Sequence, residues 1–361
     1  MSNKKKVAIL YGGRSVEHAV SVNSARNIFE FIDKAKYDPV PIGIGKDGRW
    51  FQTGTVSKEI EKGEPLALIL NPAEPGFMLL STGERFKVDA FFPVLHGTDG
   101  EDGSIQGLIK AMDIPMVGTG VLGSALSMNK IVAKRLMKQA GLPVTDFLSF
   151  GYQEKEKVKF ATISKKLGLP FMVKSASLGS SVGVSKVKTR ADFAKAIEEA
   201  FRYDDEILIE EFVTGREIEC AVLGNTPAEA SNPGEIVISK SYEFYTFDAK
   251  YVDPEAVQIH VPAKLSKPIV EKIRAVSKRA FEVLHCQDFS RVDLFLDKKG
   301  KIYINEINTI PGFTNSSMYP MMWKERGISF SDLITRLLNL AEERYNRGKR
   351  IERDFQSSLK F

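Results

Sequence analysis

Cysteine is nearly absent: the 361-residue chain has only Cys220 and Cys286. That excludes a disulfide framework, and neither residue stands in a C-x-x-C or Cys/His spacing that would suggest zinc. The scarcity leads us to expect a reducing compartment, the cytoplasm. Histidine is sparse too. His18, His96, His260 and His285 show no paired ligand spacing, and His285 reads as an ordinary helix-end residue. No apolar run approaches the roughly 20 residues that span a bilayer. Lys4-Lys5-Lys6 followed by Val7 to Tyr11 imitates a secretory leader, but the apolar stretch is too short for one and reads as a buried first strand. A strong excess of one charge is also missing. The net charge of +5 is spread along the chain and leaves no footprint for nucleic acid or a membrane beyond Arg344 to Arg353, which reads as a solvated helix end.

What is present is an ordinary globular composition, 43% apolar and 27% charged, long enough for two or three domains. Short apolar runs at Val7–Tyr11, Pro39–Ile44 and Ala90–Leu95 alternate with helical patterns after Ser21 and over Ser104–Met112. That alternation predicts a parallel sheet with helices on its faces, with Met116-Val117-Gly118 as one more strand. A long helix is expected over Ala125–Ala140, ended by Gly141 and Pro143. From Phe147 to Val213 a smaller α+β unit is expected, with strands at 171–174, 184–187 and 207–212 and a helix opened by Thr189 with Asp192 three residues on. Past Gly215 the pattern turns to antiparallel strands at 217–223, 236–239, 258–261, 292–296 and 301–307, with helices over 268–285 and from Ser329. The expected division is 1–123, 124–214 and 215–361.

The chemistry concentrates near the end of the chain. Strand alternation puts Arg291, Asp293 and Phe295 on one face, and Glu306 and Asn308 on one face of the next strand. A two-residue turn at Lys299-Gly300 would set Asp293 opposite Glu306 and Arg291 opposite Asn308; a three-residue turn would change that parity. Facing carboxylates repel unless a cation or shared proton intervenes, and with Asn308 as a third oxygen the set suits Mg²⁺. A solvated polar sheet face is the plainer alternative. Upstream, Lys174 to Gly183 is a strand end running into a glycine- and serine-rich loop whose backbone N–H groups could approach phosphate. It is not a Walker A loop, and by itself it could be a plain hairpin. Glu210-Glu211-Phe212-Val213 with Glu217 could offer backbone groups to an adenine and a carboxylate to a ribose, or be simply exposed acids. The turn Gly12-Gly13-Arg14-Ser15-Val16-Glu17-His18 opens a helix and could bind an anion. The G-x-G-x-x-G spacing is absent at that turn, and Glu17 suits an ammonium instead. His96 to Gly103 is loop-like.

Taken together, Gly12-Gly13-x-Ser15-x-Glu17-His18, Phe92-Pro93-x-Leu95-His96-Gly97 with Gly100-Glu101-Asp102-Gly103, Lys174 to Gly183, the pair Lys250-Tyr251, and Arg291-x-Asp293 with Asn305-Glu306-x-Asn308-Thr309-x-Pro311-Gly312 resemble the D-alanine:D-alanine ligase family, in the right order over nearly the whole chain. The resemblance implies an α/β and α+β, three-domain ATP-grasp fold with an N-terminal open parallel-sheet domain. It implies ATP between the central and C-terminal domains, with Lys130, Lys174 and Ser181 toward the phosphates. Glu210, Glu211 and Val213 would meet the adenine edge and Glu217 the ribose; Phe212 and Phe295 would line the purine slot, with Phe244 and Lys250 also binding the nucleotide. Asp293, Glu306 and Asn308 would hold two Mg²⁺ ions, Mn²⁺ being an alternative. Glu17, linked through Ser180 to Tyr251, would take the first D-alanine's ammonium, with His96 as an orienting group. Ser317 and the Met318 backbone would take the second carboxylate. Arg291 and the Gly312 amide would stabilise the oxyanion, and a lid over 241–256 would carry Lys250 and Tyr251. A homodimer is implied by the same likeness. Two other readings share the fold: a ligase with another acceptor such as D-lactate, against which Tyr251 argues, and a non-catalytic nucleotide-binding protein, against which the intact ligand set argues.

Overall fold

The computed structural model describes residues 4–180, 182–238, 257–352 and 354. Among these residues three sheets follow one another along the chain. The first is built on β1 (Lys5–Gly12), β2 (Tyr37–Ile44), β3 (Trp50–Gln52), β4 (Glu64–Ile69), β5 (Gly76–Leu79), β6 (Arg85–Phe86) and β7 (Ala90–Pro93), in the order β6-β5-β4-β3-β2-β1-β7. β1 runs parallel to β2 and to β7. Covered on both faces, it is buried from Val7 to Gly12, hence its unbroken apolar run. The expected parallel sheet is therefore the β2-β1-β7 core, and β3 to β6 extend it as an antiparallel ribbon. Helix α1 (His18–Phe31) starts earlier than the pattern after Ser21 suggested, and α2 (Ser104–Ala111) lies where expected. Met116 forms an isolated bridge to Phe91 and no strand.

The expected long helix is two, α3 (Val121–Met128) and α4 (Lys130–Gln139). Apolar periodicity continues across the junction, but Asn129 leaves helical geometry at φ −82°, ψ 103°, and its side chain accepts from the Ile131 and Val132 amides. An N-cap of this kind satisfies amides that begin a new helix, and here it places Lys130 at the first turn of α4.

The second sheet, β8 (Phe147–Gly151), β9 (Phe171–Ser175), β10 (Val184–Val187) and β11 (Glu206–Glu211), has the order β10-β9-β11-β8 and is antiparallel. Helices α5 (Phe160–Leu167) and α6 (Arg190–Tyr203) cover one face through Ile163, Ala196, Ile197 and Ala200. Asp192 Oδ2 accepts from the Thr189 amide at 2.9 Å, closing the expected cap.

The third sheet comprises β12 (Gly215–Leu223), β13 (Glu229–Ala230), β14 (Gly234–Ile238), β15 (Val257–His260), β16 (Phe289–Asp297) and β17 (Ile302–Asn308), in the order β15-β14-β12-β16-β17 with β13 on β12. α7 (Lys267–Val283) packs on one face. α8 (Met318–Glu325) and α9 (Phe330–Gly348) carry Tyr319, Trp323 and Leu337 into a core shared with Val7, Ile9 and Phe92 of the first sheet. That common core fixes the N-terminal loops against the C-terminal sheet.

Candidate active site

The hairpin β16–β17 brings the acidic residues together by a route the sequence pattern did not suggest. Its turn holds three residues, since Asp297 N donates to Lys301 O at 3.0 Å and Leu296 pairs with Ile302. That register alone would have set Asp293 opposite the wrong residue. A β-bulge between Asp293 and Leu294 absorbs Asn305, after which Asp293 pairs with Glu306 and Arg291 with Asn308. The bulge also breaks strand alternation, so Asn305 and Glu306 both border the cleft. Arg291 forks onto Asp293, with Nε 2.7 Å from Oδ1 and Nη2 2.7 Å from Oδ2, and its Nε lies 3.0 Å from Glu219 Oε2. Glu219 on β12 is register-paired with Asp293, so Glu219, Asp293 and Glu306 form one row across three strands. No group of three or more His, Cys, Asp or Glu is poised to hold a metal among the described residues; the expected set is two carboxylates with the Asn308 amide oxygen.

Across the cleft two cations flank the loop between β9 and β10, Lys130 from the first turn of α4 and Lys174 from the end of β9. Lys130 Nζ donates to Leu178 O at 2.8 Å and lies 3.3 Å from Glu306 Oε2. Lys174 Nζ donates to Asn305 Oδ1 at 3.0 Å and lies 2.5 Å from Glu210 Oε1. Glu210 is no exposed acid; it is 2% exposed, and Lys134 Nζ takes its other oxygen at 2.8 Å. Burial alone would raise the Glu210 carboxyl, but the charges of Lys134 and Lys174 hold it well below the usual range. For Lys174 burial likewise opposes the charged form, and Glu210 and Glu306 more than offset it. For Lys134 burial prevails and lowers it. Ser180 stands in the left-handed region at φ 54°, and its hydroxyl donates to Glu17 Oε1.

From the first sheet, the turn after β1 delivers Glu17, which is 8% exposed. Gly179 packs against it, and a Cβ there would stand 2.8 Å from Glu17 Oε2 and make that carboxylate shift. His96 is buried, with Nδ1 2.8 Å from Ile310 O and Nε2 3.0 Å from Ser24 Oγ. A carbonyl only accepts, so Nδ1 carries the proton and Nε2 accepts from the Ser24 hydroxyl. Burial keeps the ring neutral, its pKa lowered. Glu101 accepts from the Gly97 amide at 2.7 Å and the Ile310 amide at 3.1 Å. Burial and the neighbouring Glu17 charge push its carboxyl up to about 8.

Two adjoining cavities result. The larger, about 460 Å³, is lined by Lys174, Glu210, Glu211, Phe212, Val213, Glu217, Asp293 and Phe295 among others. The smaller, about 260 Å³, is lined by Glu17, His96, Asn308, Gly312, Ser317 and Met318. Lys130, Ser180, Arg291 and Glu306 border both. Ser317 stands at the N-cap position of α8 without a side-chain bond to the helix, its hydroxyl accepting instead from the Thr314 amide at 3.0 Å. Ser181, Phe244, Lys250 and Tyr251, with the expected lid 241–256, lie outside the described residues. Pattern reading assigned no role to Glu101, Lys134, Glu219 or Asn305. Only the bulge and contacts across sheets reveal them, although Glu101 and Asn305 stood inside motifs already singled out.

Profiles described as D-ala D-ala ligase N-terminus and D-ala D-ala ligase C-terminus match residues 6–119 and 136–339. A D-alanine–D-alanine ligase of Oceanobacillus iheyensis is 44% identical over 361 residues, covering 97% of this chain and 98% of its own. Among solved structures, the D-alanine–D-alanine ligase from Coxiella burnetii superposes with a TM-score of 0.87 at 35% identity, covering 97% of both chains. The D-Ala:D-Ser ligase VanG from Enterococcus faecalis gives 0.85 at 36%, covering 94% of this chain and 100% of its own. With both family halves matched in order, and with such relatives along nearly its full length, the chain belongs to the D-alanine–D-alanine ligase family.

Proposed function

We propose that this chain joins two molecules of D-alanine at the expense of ATP, forming the dipeptide used in peptidoglycan precursors. One observation carries the reading: a cavity of nucleotide size and a smaller, polar one share a wall made of Lys130, Ser180, Arg291 and Glu306. A phosphoryl group and a small carboxylate can therefore meet there. In this reading Lys130 and Lys174 contact phosphates, and Phe212, Val213, Glu217 and Phe295 surround adenosine. Glu17, oriented by the Ser180 hydroxyl, holds the ammonium of the first D-alanine, and Ser317 with the Met318 amide receives the carboxylate of the second. The first carboxylate takes the γ-phosphoryl group and ADP leaves. The second amine then attacks the acyl carbon and phosphate leaves, while Arg291 and the Gly312 amide stabilise the oxyanion. His96 has both ring nitrogens engaged, which suits orientation and not proton abstraction.

Asp293, Glu306 and Asn308 fit Mg²⁺ by donor chemistry, being hard oxygens brought together by the register. Bound there, the ion would neutralise triphosphate charge; Arg291 and Lys130 already neutralise the same two carboxylates. The division 1–123, 124–214 and 215–361, a homodimer and a cytoplasmic location, where ATP is available, complete the reading. No helix among the described residues is long and apolar enough to cross a membrane. A second acceptor has specific support in the D-Ala:D-Ser ligase, whose structure this chain matches. Phosphate release from ATP with D-alanine alone, then with D-serine or D-lactate added, tests both. Release with D-alanine alone and dipeptide as product is expected; no release under any condition would refute the enzyme.

A further inference from the structure

Lys134 has no task in the reaction as described. It is 1% exposed and borders neither cavity. It lies one turn after Lys130 on α4. Its Nζ reaches Glu210 Oε2 at 2.8 Å, Thr145 Oγ1 at 2.9 Å and Ile304 O at 3.4 Å. The Thr145 hydroxyl in turn donates to Glu210 Oε2 at 2.5 Å. The opposite oxygen of Glu210 holds Lys174 at 2.5 Å, and Lys174 borders the larger cavity. One carboxylate thus stands between two ammonium groups, an inner one closed off from solvent and an outer one facing the cleft.

An ammonium in such a place is expensive, and an apolar side chain of the same length would fill the space with less desolvation. What the charge adds is arithmetic. Lys174 paired with Glu210 alone would be neutral as seen from the cavity. With Lys134 taking half of the carboxylate, the trio carries one net positive charge, and its end toward the cleft is Lys174. The two-sided grip also fixes Glu210, and through it the direction of Lys174. We propose that Lys134 is a positioning residue of the nucleotide site, occupying one face of Glu210 so that Lys174 keeps its charge for a polyphosphate. The proposal rests on the reading of Lys174 as a phosphate contact.

The test is calorimetric binding of ADP and of adenosine to the full chain, in the variants Lys134→Met, Lys134→Gln, Lys134→Met with Glu210→Gln, and Lys174→Met, each checked for folding by its thermal transition. In the single Lys134 variants ADP should weaken on the order of tenfold, the scale of one charge-assisted hydrogen bond, while adenosine stays unchanged. Adding Glu210→Gln to Lys134→Met should restore most of the ADP-to-adenosine ratio, because no carboxylate is then left to neutralise Lys174. Equal loss of ADP and adenosine, or a double variant worse than the single, would show that Lys134 only supports packing and overturn the proposal. If Lys174→Met keeps its ADP affinity, the phosphate role of Lys174 itself is wrong and the proposal falls with it, an outcome separate from failure at Lys134.

Discussion

Replacing Arg291 by Met should separate the structural from the chemical work of the site. The guanidinium holds Asp293 through both oxygens at 2.7 Å and stands 3.0 Å from Glu219. The Arg291 side chain is 17% exposed, that of Glu219 6% and that of Asp293 16%. Without it, two largely buried carboxylates face each other across β12 and β16. Unpairing a buried ion pair costs about 3–5 kcal/mol, and the partial exposure of Asp293 places this case toward the lower end. An ion bound at Asp293 would stabilise parent and variant alike, by about 2.7 kcal/mol at 100 times its Kd, so the comparison is made in EDTA. Urea unfolding there should show a deficit of about 3 kcal/mol. Turnover in excess Mg²⁺ should fall as well, because removing a donor aimed at a developing oxyanion costs about 100- to 1000-fold. Both are read on one preparation, by denaturation and by phosphate release at saturating ATP and D-alanine. A deficit below about 1 kcal/mol in EDTA, the scale of a surface pair, would refute the electrostatic argument. Turnover within about fivefold of the parent would refute the oxyanion role.

Other consequences follow from single contacts. Glu101 keeps its proton in the native state up to about pH 8 but releases it near 4.5 when unfolded. Its contribution to stability is therefore complete below the unfolded value, declines at up to about 1.4 kcal/mol per pH unit as pH rises, and is lost above the folded value. In EDTA, Glu101→Gln should flatten that decline in a pH series of urea melts; an unchanged slope would contradict the assignment. Asn129→Ala removes the cap that starts α4 and should cost about 1 kcal/mol, with the KM for ATP rising because Lys130 loses its anchor; a stability change near zero would count against the cap. Gly179→Ala puts a Cβ 2.8 Å from Glu17 Oε2, so Glu17 must shift and the KM for D-alanine should rise. A rise confined to ATP would place Glu17 in the wrong cavity.

The strands and helices that position the site were legible wherever a period met a clear terminus, as at Thr189, Ser329 and Gly215. Legibility failed where one local signal masked another. Apolar spacing runs through Asn129, and only the cap geometry shows that α3 and α4 are separate. The facing of Asp293 and Glu306 was anticipated from a two-residue turn, whereas the chain uses three residues and regains the register through a bulge at Asn305. Strand alternation contains no term for such an insertion. Glu210 looked like a surface acid because its lysine partners at 134 and 174 lie on other elements. Glu101 and Glu219 were passed over for the same reason: the groups that give them meaning, Ile310 and Arg291, are distant in the chain.

The most direct test of the account is D-alanine-dependent phosphate release from ATP, titrated with Mg²⁺, for the parent chain and for Glu306→Gln. If Asp293, Glu306 and Asn308 gather the cation beneath the triphosphate, the parent turns over with saturable dependence on Mg²⁺ and the variant stays inactive at every Mg²⁺ concentration. Near-parental turnover by Glu306→Gln would contradict that claim.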